Sequence, residues 1–74
     1  MSICDLKPGN SACVHSILCD DKLTKRLLAL GCIKGTKVVM KTVAPLGDPI
    51  ILTLRGFDLA IRKKDAKNIL VKGF

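Results

Sequence analysis

Apolar residues change their spacing near the middle of the chain. Leu23, Leu27 and Leu30 recur at i, i+4 and i+7, which stacks three leucines along one stripe of a short helix. Asp20 or Asp21 caps its start, where a carboxylate accepts from free backbone N–H groups and suits the positive end of the helix dipole. Gly31 stops it, because glycine takes the left-handed conformation of a residue just past a helix end without a Cβ clash. Lys34 and Gly35 make a second, tighter turn. From Thr36 onward the apolar residues alternate with polar ones, so the helix hands the chain to a run of strands.

The strands follow from that alternation. Residues 11–19 form the first, and because Val14 and Ile17 have opposite parity, both reach a core only across a bulge between them. Residues 36–44 form the second, with Val38, Met40, Thr42 and Ala44 on one face and Lys37, Val39, Lys41 and Val43 on the other. Residues 45–49 (PLGDP) break it into a hairpin loop with Leu46 at the tip. Ile50, Leu52 and Leu54 point inward from the third strand. Gly56 turns the chain into a fourth, where Phe57, Leu59 and Ile61 continue the core. Residues 63–68 (KKDAKN) suit a single helical turn that buries Ala66, after which Ile69 and Val71 close the sheet. Residues 5–9 (DLKPG) are a lead-in anchored by Leu6. The expected fold is mainly β: a small SH3-like barrel of about five strands, one short helix between the first and second, and closure that hides the sheet edges.

Composition narrows the picture. Seventy-four residues are expected to make one domain, residues 1–74, and a chain of this size buries only about 60% of the surface its unfolded form exposes. With no Trp or Tyr and only Phe57 and Phe74, aliphatic side chains must fill the core. The same shortage disfavours binding of single-stranded nucleic acid by base stacking. Thirteen Lys or Arg against six Asp give a net charge of +7, suited to phosphate backbones, an anionic membrane surface or an acidic protein; the ordinary reading is a solvated basic surface. No apolar run approaches the roughly 20 residues of a membrane-spanning helix, and no secretory signal is visible, so a cytoplasmic protein with four reduced cysteines is expected.

The segments RLLALGCIKG (residues 26–35), APLGDPI (44–50) and LAIRKKDAKNILV (59–71) together resemble the FeoA family, small proteins of bacterial ferrous iron uptake. Arg26, Leu27, Leu30, Gly31, Gly35, Pro45, Gly47, Pro49, Ala60 and Arg62 match its pattern. The resemblance implies a non-enzymatic cytoplasmic accessory protein that works by contact with FeoB, a membrane transporter for ferrous iron with its own G-protein domain. The chain agrees, having no P-loop and no recognisable catalytic motif. The same module resembles the carboxy-terminal domain of metal-dependent repressors; with no DNA-binding helices within these 74 residues, a repressor is not expected. The reading from a different class is an SH3-like RNA-binding module using the basic run Arg62, Lys63 and Lys64.

Candidate contact residues come from apolar side chains that do not fit a core. Leu28 falls between Thr24 and Lys25 on the polar face of the helix, and Leu46 sits on a hairpin tip. If helix and hairpin share one side of the barrel, they form an apolar patch rimmed by Lys25, Arg26 and Arg55 that meets the transporter or a second copy of the chain. Arg26 or Arg55 could also serve as a finger in nucleotide hydrolysis. Cys13, His15 and Cys19 share strand parity if no bulge intervenes and are conceivable metal ligands, but their spacing is not that of a structural zinc site. Two half-buried thiols and a solvated histidine are the expectation, with no cofactor.

Overall fold

Gly31 is the hinge between the helical and the alternating halves. Helix α1 (Asp21–Ala29) begins at Asp20, whose side chain accepts from the Leu23 N–H at 2.8 Å. Its end is a Schellman cap: the Gly31 N–H donates to the Leu28 carbonyl at 3.0 Å and the Cys32 N–H to the Leu27 carbonyl at 2.9 Å. Leu27 and Cys32 are both buried, so the cap joins the core. Leu27 is the buried member of the leucine stripe, Leu23 and Leu30 are half-buried, and Leu28 is 48% exposed.

The computed structural model describes residues 1–73. Strands β1 (Ser11–Ile17), β2 (Lys37–Val43), β3 (Ile50–Leu54), β4 (Phe57–Ile61) and β5 (Ile69–Gly73) form one antiparallel sheet in the order β4-β3-β2-β1-β5. The four-residue helix α2 (Lys63–Ala66) links β4 to β5 and buries Ala66 completely. The sheet curls around a single aliphatic core built from Ala12, Val14, Val38, Met40, Leu52, Leu54, Ile69 and Val71, and the molecule measures 28 × 25 × 23 Å. This is an SH3-like barrel.

Two bulges set which residues reach the core. In β1 the register against β5 shifts between Val14 and Ser16, which leaves His15 outside and lets Ile17 pack on the core. In β2 the register against β3 shifts between Met40 and Thr42. The strict alternation expected there fails for this reason: Lys41 is the extra residue, Thr42 is exposed and Val43 turns inward. Two further departures concern ends. Phe57, expected inside, lies 36% exposed where edge strand β4 leaves its turn. The lead-in is also part of the sheet: a 3-10 turn (Ile3–Asp5) buries Ile3, Ser2 bridges to Leu70, and Met1 accepts from the Val71 N–H at 2.8 Å, covering the outer edge of β5.

Candidate functional site

Arg55 ties the β3–β4 turn to the end of α1. The pair Leu54 and Phe57 leaves Arg55 and Gly56 as a two-residue loop, with φ of 48° and 87°. Positive φ at both central residues matches the right-handed twist of a hairpin, and Asn or Gly is usual where Arg55 stands. Its stem lies across Gly31, so that a Cβ on Gly31 would fall 2.6 Å from the Arg55 Cδ. Arg55 also borders a shallow depression with Ile33, Lys34 and Thr36, and Ile33 is 48% exposed.

Between α1 and β4 runs a groove floored by Leu23, Leu27, Leu59 and Ile61 and flanked by Arg26 and Arg62. Asp20, Lys22 and Asp65 stand at its mouth beside Arg26. Arg26 makes no ion pair among the described residues, and Lys25 and Leu28 are exposed on the same helix, Leu28 about 160° around its axis from Arg26.

Leu46 lies elsewhere. In the β2–β3 hairpin, Val38 pairs with Leu54 at one end and Val43 with Ile50 at the other. Arg55 therefore follows the first end and Leu46 lies beyond the second, separated by a seven-residue strand spanning about 20 Å. The hairpin tip contacts the β4–α2 corner instead. The Lys63 N–H donates to Asp48 Oδ1 at 2.9 Å, and the Lys63 ammonium lies 3.7 Å from the Cβ position of Gly47. The structure thus groups Lys25, Arg26 and Leu28 on one helix, places Arg55 at that helix's carboxyl end, and sets the tip that carries Leu46 against Lys63.

The bulge at His15 separates the three side chains considered as metal ligands. Cys13 faces outward between buried Ala12 and Val14, His15 is exposed, and Cys19 packs partly on the core with its thiol directed to the Asp65 carbonyl at 3.6 Å. Among the described residues no three His, Cys or Asp side chains gather closely enough to hold a metal ion. Burial raises the Cys19 thiol pKa, with Asp65 and then Asp20 adding to it; burial and the neighbouring Cys19 raise that of Cys32. Both thiols therefore stay protonated at neutral pH.

One polar cluster had no signal in the alternation pattern. Lys41, the bulge residue of β2, pairs with Asp58 on β4, and Asp58 also accepts from the Thr53 hydroxyl at 2.8 Å. These hydrogen bonds, from Lys41 first and then Thr53, hold the Asp58 carboxyl below its ordinary pKa. The sequence does carry signals for two other contacts: Arg-Gly between alternating segments marks a two-residue turn, and an Asp before Pro49 marks a loop acceptor.

A family model described as the FeoA domain matches residues 1–73. A fusion protein from Porphyromonas gingivalis that joins an Fe(2+) transport protein A to the Fe(2+) transporter FeoB is 26% identical over 72 residues, covering 97% of this chain. The chain spans 8% of the length of that fusion. Among solved structures, the FeoA protein of Chlorobium tepidum superimposes with a TM-score of 0.97 at 35% identity, covering 100% of this chain and 70% of that one. A zinc complex of FeoA from Stenotrophomonas maltophilia gives 0.85 at 30% identity, covering 97% and 89%; it is described as an SH3 domain protein and a candidate activating factor of ferrous iron transport.

Proposed function

The chain belongs to the FeoA domain family, and we propose that it serves ferrous iron transport in the cytoplasm as a contact protein without catalysis of its own, docking on the cytoplasmic part of a FeoB-type transporter. The observation that carries this reading is the Porphyromonas gingivalis fusion, in which a segment matching 97% of this chain shares a polypeptide with FeoB. Covalent linkage raises the effective concentration of two modules that act together.

The docking face is the outer surface of α1. Leu28 is a half-exposed leucine between Thr24 and Lys25, and Arg26, without an ion pair among the described residues, stands at the rim of an apolar groove. Apolar and arginine side chains in such a setting are the usual anchors of an interface, and Lys25 and Arg55 supply a positive rim that steers an acidic partner. The test is retention of the purified domain, at near-physiological salt, by the cytoplasmic portion of a cognate transporter with nucleic acid as the competing bait. Retention by the transporter supports docking. Retention by nucleic acid alone overturns it.

A further inference from the structure

The hairpin between β2 and β3 exposes Leu46 to 96%, more than any other large apolar side chain of the described residues. Leu46 lies on the tip and its neighbours are Pro45 and Gly47, so nothing polar shields it. The tip is not isolated. Asp48 accepts from the Lys63 N–H at 2.9 Å, and the Lys63 ammonium rests 3.7 Å from the Cβ position of Gly47. These contacts hold the tip against Lys63, in a six-residue segment that carries four exposed cations, Arg62, Lys63, Lys64 and Lys67. The acids of this end are Asp48, which is engaged with the Lys63 N–H, the half-buried Asp65, and Asp5 of the 3-10 turn packed on α2, which accepts from the Ser2 N–H.

We propose that Leu46 and this basic corner form a contact site for an anionic lipid bilayer, with the leucine entering the headgroup boundary and the cations meeting lipid phosphates. An apolar tip ringed by lysine stems and ammonium groups is the arrangement that binds at a membrane interface, where apolar burial and attraction to anionic lipid add. A nucleic acid would use the cations but leave the leucine in water. An acidic peptide would leave it equally unburied unless it brought its own apolar pocket, whereas a bilayer supplies both environments in one plane. The site lies at the end of the barrel away from Arg55, and the inference rests on no step of the transporter reading.

The experiment is co-sedimentation of the whole chain with vesicles of equimolar phosphatidylcholine and phosphatidylglycerol, and with vesicles of phosphatidylcholine alone. The chain binds the anionic vesicles and not the neutral ones. Leu46→Ser weakens binding about tenfold or more, and Lys64→Gln and Lys67→Gln weaken it about fivefold each, a loss that added salt imposes on the parent chain. Because the chain has no tryptophan, Leu46→Trp reads the environment of the tip directly, and its emission shifts to the blue only with anionic vesicles. Binding that Leu46→Ser leaves intact, an unshifted Leu46→Trp emission, or binding to RNA with none to vesicles would overturn the proposal.

Discussion

Gly31 is held by two constraints of unequal strength. Its φ is +89°, and a Cβ there would meet the Arg55 stem. The stem is flexible and can swing aside, but the backbone angle cannot relax without unmaking the cap. Gly31→Ala is therefore expected to destabilise the domain by about 1–2 kcal/mol, and to do nearly the same in an Arg55→Ala background. Chemical denaturation of the four combinations checks it, and a cost that vanishes without Arg55 would make the clash the cause. Asp58 carries a pH dependence. Its folded pKa lies below the ordinary value because Lys41 and Thr53 stabilise the carboxylate. The contribution is thus present above the unfolded carboxylate value of about 3.9 and fades as pH falls through the lower folded one. Melting temperatures measured down an acid series should show Asp58→Asn less sensitive than the parent in that window, by a small margin because the pair is exposed.

At the scale of elements, the sequence was most legible where one side chain has one reason for its place. Leu23, Leu27 and Gly31 define α1, and Ile50, Leu52 and Leu54 alternate cleanly into the core. The bulge in β1 was visible because Val14 and Ile17 conflict in parity. The bulge in β2 was not, since valines occupy both parities of that strand and only the pairing of Met40 with Leu52 and Thr42 with Ile51 reveals the shift. The lead-in carries no such signal, because residues 1–6 have no period, although Ile3 and Leu6 are both buried. Two changes test α1. Asp20→Ala removes the acceptor for the Leu23 N–H and should cost about 1 kcal/mol. Leu27→Ala, at a site 1% exposed, should cost about 2–5 kcal/mol through lost burial and a residual cavity, a large part of the stability of so small a domain. Unfolding curves decide both, and an undiminished Leu27→Ala would contradict the assigned helix face.

For the whole molecule, the sheet order decides which candidate residues act together, and no single-strand pattern contains that information. Periodicity gave Leu28 and Leu46 equal standing as exposed leucines. The pairing of β2 with β3 puts Arg55 and Leu46 at opposite ends of one hairpin, and the Asp48 to Lys63 hydrogen bond fixes Leu46 to the basic corner. The helix face proposed for a protein partner and the hairpin tip proposed for a lipid surface therefore lie at different places on one small barrel.

The proposed docking puts the α1 face against the transporter. It is tested most directly by titrating the cytoplasmic portion of a cognate FeoB-type transporter with the parent chain and with Leu28→Glu, following heat by calorimetry. Leu28 is 48% exposed, so Leu28→Glu should melt as the parent does and yet lose binding by about tenfold or more. Equal affinity of the two chains, or no binding of the parent, would contradict the account.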